Sequence, residues 1–486
     1  MIKKLSNLLS FRIPKEYTEF EVEDIVDDSR KVKLGDMFIA VTGTNQDGRN
    51  YINDAMKKGA DFIVSESEKG INEIIRDEGV FHIKVKNIRK ELSHIAAKFY
   101  PSNFENLIAV TGTNGKSSTV SMIRDILNFY GKSAASIGTL GIISENLQEK
   151  LLGNMTSPGA LVLHKIFHKL VEQEIKNVAL EASSHGIHQH RLDGLNFSVC
   201  AFTNLSQDHL DYHKNMENYW AAKERLFSEV APQNSVFIID DDDPYSKKIR
   251  EIAKNRKIRC IGYGKTSEDL KIERIEPSKK FQKIDFLFNK KNHSYNLPIQ
   301  GEFQVYNSLC ALLSCFAIGL KVEDILAALE KIKPISGRLE LVAEPHDAQI
   351  YIDYAHTPDA LKNALTSLRK ITKEKLFVVF GCGGNRDQTK REIMGQIASD
   401  YADVIFVTDD NPRTENPAEI RKMILKGCPD ALEVDRRKKA IEDAVDFLKA
   451  GDVLLIAGKG HEDYQIIGTE TIHFSDKEVV LNRMVK

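Results

Sequence analysis

The sequence predicts an α/β protein of three domains, and three observations support this prediction. The chain has 486 residues, which suggests about three domains at ~150 residues each. Short apolar runs alternate with helical patterns, as in parallel sheets covered by helices on both faces. Pro101, Pro334 and Gly337 interrupt these patterns. We therefore expect domains over residues 1–102, 103–334 and 335–486.

The first domain is expected to be a small N-terminal α/β domain. Apolar runs that follow turn residues predict strands at 36–41, 60–64 and 81–85. Helical patterns cover 51–58 and 88–99, and the second of these is stopped by a proline.

The central domain is expected to contain a parallel sheet followed by hairpin strands and two helices. The predicted strands lie at 107–110, 177–182, 198–203, 235–239 and 257–261. The predicted helices lie at 117–130, 305–318 and 322–332, and residues 271–295 have the pattern of β-hairpins.

The third domain repeats the alternation of strands and helices. Its predicted strands lie at 376–380, 404–407 and 453–456, with helical patterns between them. This order is typical of a doubly wound, Rossmann-like sheet.

The composition excludes several functional classes. Lys and Arg number 68 and Asp and Glu 70, so the net charge of −2 gives no broad basic surface for nucleic acid or anionic lipid. The sequence lacks a signal-peptide core and any run of ~18 uncharged apolar residues. None of the six cysteines forms a Cys-x-x-Cys pair, which favours reduced thiols. We expect a cytoplasmic monomer with no nucleic-acid partner and no membrane span.

One motif points to a nucleotide. Between a predicted strand and a predicted helix lies a phosphate-binding loop made of Gly112, Thr113, Asn114, Gly115, Lys116, Ser117 and Ser118. Backbone N–H groups of such a loop surround phosphate oxygens, its lysine reaches the outer phosphates, and the following hydroxyl ligates Mg²⁺. Two residues separate the glycines here, whereas the common pattern has four. The alternative is a glycine-rich turn with no ligand.

The shortened loop resembles the ATP loop of the Mur ligase family, which includes the folylpolyglutamate synthases. The further matching segments are Glu181–Gly186, Asn204–Asp211, Ala222–Lys223, Tyr306–Asn307, Gly337–Glu340 and Asp353–Pro358. The N-terminal Asp28–Arg30 and Gly35–Phe38 match the branch that adds the third residue of the peptidoglycan stem. The resemblance covers nearly the whole chain.

The resemblance implies a P-loop central domain, a Rossmann-like third domain and an ATP-dependent amide ligase. In this family the γ-phosphate passes to a substrate carboxylate, and an amine attacks the resulting acyl phosphate. Such chemistry requires cations where the phosphates, the carboxylate and the developing oxyanion meet. Because the residues for one ATP come from two blocks, we expect the site to close around its substrates.

The resemblance also implies residue roles at the ATP site. Lys116, His209, Lys223 and Arg338 are the expected catalytic residues. Asn307, Arg338 and Asp353 are expected to contact the nucleotide together with the loop. Ser117, Glu181, His209 and a carbamylated Lys223 are the expected groups around Mg²⁺. Without the resemblance, His209 is read as a capping or core histidine and Lys223 as a surface lysine.

The same resemblance assigns residues to a UDP-linked substrate, UDP-N-acetylmuramoyl-L-Ala-D-Glu. On the first domain these are Ser29, Thr44, Asn45 and Gln46, and on the central domain Thr156, Ser157, Ser183, Gln189 and Arg191. The sequence has Met155-Thr156-Ser157 where relatives often have Asn or Leu before a Thr-Thr pair. The hydroxyl is retained, so the role is kept.

The incoming amino acid is expected at the third domain. Asp410-Asn411-Pro412-Arg413 resembles the motif of ligases that add meso-diaminopimelate. The planar guanidinium of Arg413 suits a carboxylate, which the distal end of diaminopimelate carries and lysine lacks. The further expected contacts are Arg386, Gly458 and Glu462, the last of which accepts the distal ammonium. The sequence leaves meso-lanthionine and L-lysine open as substrates.

Three other functions compete with this interpretation. Folylpolyglutamate synthase shares the loop, but the N-terminal block and the Asp410–Arg413 motif argue against it. A dinucleotide-binding module at Gly381–Gly384 lacks the glycine that the fingerprint requires at Arg386. A nucleotide-dependent switch that does not ligate remains the third alternative.

Overall fold

Contacts along the backbone divide the chain into two compact units. The computed structural model of the protein describes residues 2–43, 46–151, 156–278 and 280–484. The first unit comprises Met1–Ala109, Lys132–Cys200 and Ala222–Ser235. The second unit comprises Val110–Gly131, Ala201–Ala221 and Val236–Lys486.

The N-terminal segment forms a five-stranded sheet and three helices. In chain order its elements are β1 (Lys3–Lys4), α1 (Leu5–Leu8), β2 (Glu21–Val22), β3 (Ile25–Val26), β4 (Met37–Ile39), α2 (Ile52–Lys57), β5 (Phe62–Glu66), β6 (Glu73–Asp77), β7 (Val80–Val85) and α3 (Ile88–Phe99). The strand order is β3-β4-β5-β7-β6, parallel except for β6. The predicted strands and helices of this segment are confirmed.

Helix α3 shows why the local sequence folds as predicted. The Asn87 side chain caps the helix by accepting a hydrogen bond from the Lys90 N–H. Ile88, Leu92 and Ile95 recur at helical spacing and are buried in the core of the first unit.

The middle of the chain contributes to both units. Its elements are β8 (Asn106–Thr111), α4 (Lys116–Phe129), β9 (Ala134–Gly138), β10 (Gly141–Ile143), β11 (Gln148–Glu149), α5 (Ala160–Glu172), β12 (Asn177–Glu181), α6 (Ser184–His188), β13 (Val199–Phe202), α7 (Leu210–His213), α8 (Met216–Arg225), β14 (Val236–Asp240), α9 (Ser246–Arg256), β15 (Arg259–Gly264), β16 (Leu270–Pro277), β17 (Gln282–Phe288), β18 (Lys291–Leu297), α10 (Glu302–Ala317) and α11 (Val322–Leu329).

The strands of this stretch fall into two runs. In the first unit the order is β11-β10-β9-β12-β8, and β9 pairs with β12 in parallel. In the second unit the order is β13-β14-β15-β16-β17-β18. The β14, β15 and β16 strands pair in parallel, whereas β16, β17 and β18 form the antiparallel hairpins that the sequence predicts.

The C-terminal segment forms a six-stranded sheet within the second unit. Its elements are β19 (Glu340–Ala343), β20 (Gln349–Asp353), α12 (Pro358–Arg369), β21 (Leu376–Phe380), α13 (Lys390–Tyr401), β22 (Val404–Val407), α14 (Pro417–Leu425), β23 (Leu432–Glu433), α15 (Arg437–Phe447), β24 (Val453–Ala457), β25 (Tyr464–Ile467), β26 (Glu470–His473) and α16 (Asp476–Met484). The order is β19-β20-β24-β21-β22-β23, parallel except for β19. Apolar cores cover both of its faces, as a doubly wound sheet requires.

Among the described residues, no helix combines the length and the hydropathy needed to cross a bilayer.

Candidate active site

Two glycines let the loop between β8 and α4 pass close to neighbouring side chains. Gly112 has a φ of 148° and Gly115 a φ of 88°, a backbone region that other residues rarely adopt. A Cβ at Gly112 would overlap the Thr203 hydroxyl, and one at Gly115 would overlap the side-chain oxygen of Asn307. The loop leads directly into α4, whose N-terminal N–H groups and dipole favour an anion.

The segment after β13 fixes the loop by hydrogen bonds. Asn204 accepts the Thr113 N–H at its backbone oxygen and the Asn114 N–H at its side-chain oxygen, each at 2.9 Å. The Thr203 hydroxyl donates to the Asn114 carbonyl at 2.6 Å. The loop is thus preformed, which reduces the entropy cost of holding a phosphate group.

The Lys116 side chain folds back over the same loop. Its ammonium donates to the Gly112 carbonyl at 2.9 Å and to the Thr113 carbonyl at 2.7 Å. These bonds hold the cation beside the N–H groups that face a phosphate in loops of this type.

The C-terminal segment contributes a second cation to this place. Arg338 Nη2 donates to Ser117 Oγ at 2.9 Å, and the guanidinium lies 4.6 Å from the centre of the Tyr354 ring. Ser117 is buried in the first turn of α4. Lys116, Arg338 and the helix N-terminus therefore converge on one end of α4, and the Asn307 side chain lies against Gly115.

Asp353 is a buried carboxyl at the end of β20, close to Arg338. It accepts the Leu339 N–H at 2.5 Å. Burial raises the pKa of Asp353 to about 6, although Arg338 acts in the opposite direction. The Asp353 carboxyl therefore lies close to Arg338, one of the two cations that meet at the N-terminus of α4.

A cluster of charged groups lies beside the loop. Asp208 Oδ2 is 3.4 Å from His209 Nε2 and 4.0 Å from His356 Nε2. Burial works to raise the pKa of Asp208, but His209, His356 and Lys390 together lower it to about 2. Sequence reasoning assigned no role to Asp208 or His356, although both stand in the quoted motifs.

His209 is connected to the loop through an aromatic side chain. Its ring contacts the ring of Tyr219, with centroids 6.1 Å apart, and the Tyr219 hydroxyl lies 3.2 Å from the Thr113 hydroxyl. His209 has a left-handed backbone with a φ of 54°. The structure therefore brings the predicted His209 to the nucleotide loop within the second unit.

The predicted amino-acid residues meet after β22 and β24. Asn411 donates from its side-chain nitrogen to Glu462 Oε2 at 3.1 Å and accepts the Ile466 N–H at 3.0 Å. Arg413 donates from its backbone N–H to the Ile466 carbonyl at 3.1 Å and from Nη1 to the Gly384 carbonyl at 2.9 Å. Strand β25 thus aligns Asn411, Arg413 and Glu462.

The remaining members of this group lie around them. A Cβ on Gly458 would come within 2.7 Å of the Asp410 carboxylate, and one on Gly384 would overlap the Pro412 carbonyl. Arg386 is exposed, and its Nη1 donates a long hydrogen bond to the Asn385 carbonyl at 3.5 Å.

In the first unit, the predicted peptide-binding residues form one hydrogen-bonded set. The Glu181 carboxylate accepts the Thr139 N–H at 2.8 Å and its hydroxyl at 3.1 Å, and Thr139 lies 3.2 Å from the Thr156 hydroxyl. Ser157 donates to the Glu181 carbonyl and accepts from the Ser183 hydroxyl, both at 2.9 Å. Hydroxyls therefore surround the end of β12.

Two arginines extend this set. Arg191 donates to the Ser157 carbonyl at 2.5 Å and to Gln189 Oε1 at 2.7 Å. Arg89, which sequence reasoning missed, donates to the Thr42 carbonyl at 2.7 Å and lies 3.5 Å from the same Gln189 oxygen. The sequence marks Arg89 only as a charged residue in the first turn of α3.

The other predicted substrate residues lie in the N-terminal segment. The buried Ser29 begins a short 3₁₀ turn, and its carbonyl accepts from the Lys58 ammonium at 3.1 Å. Gln46 accepts the Gly43 N–H at its carbonyl at 2.8 Å. Thr44 and Asn45 lie outside the described residues.

The predicted metal-binding residues fall in both units. Ser117 and His209 belong to the second, and Glu181 and the buried Lys223 belong to the first. Within the described ranges, no three His, Cys, Asp or Glu side chains cluster closely enough to hold a metal ion by themselves. Mg²⁺ usually takes one or two protein carboxylates plus substrate phosphates, so the Ser117 hydroxyl in one unit and the Glu181 carboxylate in the other are each of a donor type that suits it.

Comparison with known families gives matches over three segments of the chain. Residues 21–100 match the Mur ligase family catalytic domain, 110–315 the Mur ligase middle domain, and 337–460 the Mur ligase glutamate ligase domain.

Two curated relatives are similar over nearly their full length. A UDP-N-acetylmuramoyl-L-alanyl-D-glutamate–2,6-diaminopimelate ligase from Rickettsia conorii is 41% identical over 97% of this chain and 98% of its own. The protein of the same name from Mesorhizobium japonicum is 41% identical over 95% and 94%.

Solved structures agree with the predicted fold class. A structure of a ligase of that name has a TM-score of 0.72 at 29% identity, covering 100% of this chain and 99% of its own. The MurF ligase from Thermotoga maritima, solved with ADP, shares the fold at a TM-score of 0.64 and 18% identity, over 95% and 96%. The expected resemblance is confirmed: the chain belongs to the Mur ligase family.

Proposed function

We propose that this protein is an ATP-dependent ligase that joins meso-diaminopimelate to the D-glutamate of UDP-N-acetylmuramoyl-L-Ala-D-Glu, in peptidoglycan precursor synthesis. The observation that supports it most is the hydrogen bond from Arg338 to Ser117 at 2.9 Å. It places a guanidinium from the segment that carries the amino-acid motif on the first turn of the phosphate-loop helix. A ligase needs this arrangement because the phosphates and the amine must meet.

The loop residues act on ATP in this proposal. Backbone N–H groups of the loop and the Lys116 ammonium bind the β- and γ-phosphates, and Arg338 stabilises charge on the transferring phosphoryl group. The γ-phosphoryl group passes to the substrate carboxylate, which yields ADP and an acyl phosphate. The amine then attacks the carbonyl carbon, the C–O bond to phosphate breaks, and the nitrogen loses a proton.

Magnesium belongs to the same proposal. When bound, Mg²⁺ neutralises phosphate charge. Ser117 and Glu181 are assigned as oxygen ligands in this proposal, and His209 and a carbamylated Lys223 are assigned as further metal-binding groups. A carbamate would replace the buried Lys223 cation by a carboxylate of the type that Mg²⁺ prefers.

The two ends of the UDP-linked substrate are assigned to the first unit. We place its peptide end on Thr156, Ser157, Ser183, Gln189 and Arg191. The hydrogen-bonded set around Glu181 and Arg191 supports this, because hydroxyls and a guanidinium suit a peptide carboxylate. The nucleotide end is assigned to Ser29 and to residues 44–46.

The distal end of the amino acid is assigned to the group around Arg413. Its guanidinium pairs with the distal carboxylate, and Glu462 pairs with the distal ammonium. Arg386 is assigned to the other carboxylate. Meso-lanthionine presents nearly the same ends, so it is the second candidate amine, and L-lysine is the third.

We further propose that the protein works in the cytoplasm. All six cysteines are free thiols and five are buried, as in a reducing compartment.

The test is a reconstitution with purified protein, ATP and Mg²⁺. UDP-N-acetylmuramoyl-L-Ala-D-Glu is supplied with meso-diaminopimelate, meso-lanthionine or L-lysine, and phosphate release and tripeptide product are followed together. We expect a product that requires all three substrates, with the highest kcat/KM for meso-diaminopimelate. Phosphate release without an amine and without tripeptide would instead indicate a nucleotide-dependent switch.

A further inference from the structure

A buried lysine lies inside the amino-acid group and has no assigned role. Lys459 stands between Gly458 and Gly460 after β24, and its side chain is fully buried. Its ammonium is 2.9 Å from Glu462 Oε2 and 3.2 Å from Asn411 Oδ1, and it lies 5.3 Å from the centre of the Tyr464 ring. A lysine is rarely buried unless it is paired, and here the partner is a proposed substrate contact.

The same lysine is one of three donors that fix Glu462. Asn411 Nδ2 donates to Glu462 Oε2 at 3.1 Å, and the Tyr464 hydroxyl donates to Glu462 Oε1 at 3.2 Å. Two donors therefore share one carboxylate oxygen and a single donor binds the other. Because each oxygen has about two acceptor sites, Oε1 retains capacity for a further donor from the substrate.

Four charged side chains, which we call the distal group, lie where the distal end of the amino acid is assigned, and their charges sum to zero. Lys459 and Arg413 carry one positive charge each, and Glu462 and Asp410 carry one negative charge each. Behind them, Arg437 forms a buried ion pair with Asp476, which is neutral as a pair. Arg386 is exposed, so water screens its charge.

We propose that Lys459 sets this neutrality and thereby selects an amino acid whose distal end is a zwitterion over one whose distal end is a cation. This inference rests on the proposed function. A distal carboxylate and ammonium together carry no net charge and match a neutral group, whereas the L-lysine side chain brings an uncompensated positive charge. At a separation of roughly 4–6 Å, one extra charge in a partly buried site changes such a preference strongly.

Substitutions at the ion pair should move the selectivity in opposite directions. Lys459→Met removes a positive charge at similar volume, so the group becomes negative and the ratio of kcat/KM for meso-diaminopimelate to that for L-lysine should fall about tenfold or more. Glu462→Gln makes the group positive, so the ratio should rise even though both amines bind less well. The double variant restores neutrality and should return towards the wild-type ratio.

The controls separate charge from packing. Lys459→Arg keeps the charge and should retain the wild-type ratio, and Lys449→Met removes an exposed lysine of the same segment and should change nothing. The KM for ATP and the melting temperature of each variant report on its folding. If Lys459→Met does not fold, the neutral but polar Lys459→Gln takes its place, and its ratio should fall in the same way.

The outcomes distinguish this inference from the proposed function. A wild-type protein that ligates meso-diaminopimelate, with an unchanged ratio in folded Lys459→Met or a lowered ratio in Glu462→Gln, would overturn the selectivity role of Lys459 alone. A wild-type protein that ligates none of the three amines would overturn the proposed function itself.

Discussion

At the scale of single residues, we expect catalysis to depend on the ammonium group of Lys116. Its ammonium is held over the loop by two backbone carbonyls, where it contributes charge rather than apolar packing. We expect Lys116→Ala to lower kcat/KM about 10³-fold with little change in the melting temperature. Phosphate release and thermal unfolding measure the two effects, and the exposed Lys247→Ala is the matched control. Retained ligation by Lys116→Ala would contradict the phosphate role.

Arg413 is the residue on which the distal-carboxylate assignment depends. It adopts a left-handed backbone with a φ of 53°, and Arg413→Ala keeps a Cβ there, so the backbone strain is similar before and after. Loss of the guanidinium should reduce kcat/KM for meso-diaminopimelate about 10- to 100-fold and leave the KM for ATP unchanged. The exposed Arg436→Ala serves as control. An unaltered apparent affinity for the amine would show that Arg413 does not bind this carboxylate.

Some residues of the candidate site were predictable from sequence and others were not. The loop and the Asp410–Arg413 motif are local patterns whose spacing carries their chemistry. Asp208 and His356 act as a cluster only because segments about 150 residues apart meet, and a single sequence without an alignment does not show that contact. Lys459 stands three residues before Glu462, but that spacing indicates an ion pair only on a helix, and these residues lie in a turn.

At the scale of elements, hydrophobic periodicity predicted the helices and strands that have a strong apolar pattern and missed those that have a weak one. Helix α3 was predicted at the limits that the structure has, because its cap, its apolar spacing and its stopping proline agree. Strand β9 was missed because Ala-Ala-Ser-Ile-Gly has little of the β-branched and aromatic character that marks strands. Strand β26 is exposed along its whole length, and neither β26 nor the partly buried β25 has an apolar run long enough to reveal it.

Helix α5 carries a histidine that makes the stability of the protein depend on pH. His164 is buried, and neither ring nitrogen has a hydrogen-bond partner among the described residues. Burial lowers the pKa of His164 to about 4. The unfolded chain takes up a proton near pH 6.5 and the folded chain does not. Stability is therefore full above pH 6.5 and falls by about 3 kcal/mol as the pH drops to 4.

The variant His164→Leu tests this expectation. It cannot be protonated, so its free energy of unfolding should lose less between pH 7.5 and pH 5.5 than that of the wild type, by about 1.4 kcal/mol. Urea unfolding at both pH values measures the difference. His473→Gln is a control of opposite sign, because Glu478 raises the pKa of the exposed His473. Parallel loss of stability in wild type and His164→Leu would assign the pH dependence to other groups.

At the scale of the whole molecule, charge is placed locally rather than spread. The net charge is −2, yet the proposed substrates are strongly anionic. The proposal assigns that charge to Lys116, Arg338 and the arginines of the amino-acid group in the second unit, and to Arg191 in the first. Net charge is therefore a guide to partners that need a broad basic surface, and it carries no information about substrates whose charge is met by a few local groups.

The predicted domain boundary near residue 335 can be tested on a fragment of the chain. All six strands of the C-terminal sheet come from residues after 339, and the apolar cores on its two faces are made almost wholly of residues from the same segment. A fragment of residues 335–486 should therefore fold alone and unfold cooperatively on heating.

A shorter fragment, residues 349–486, is the matched control for that boundary. It lacks β19, which pairs with β20 at the sheet edge, and the buried Leu339 that packs on one core. Exposing that edge and that apolar surface should lower its melting temperature relative to the longer fragment. Circular dichroism during heating compares the two. If residues 335–486 show no cooperative transition, the sheet requires the central part of the chain, and the third domain does not begin at residue 335.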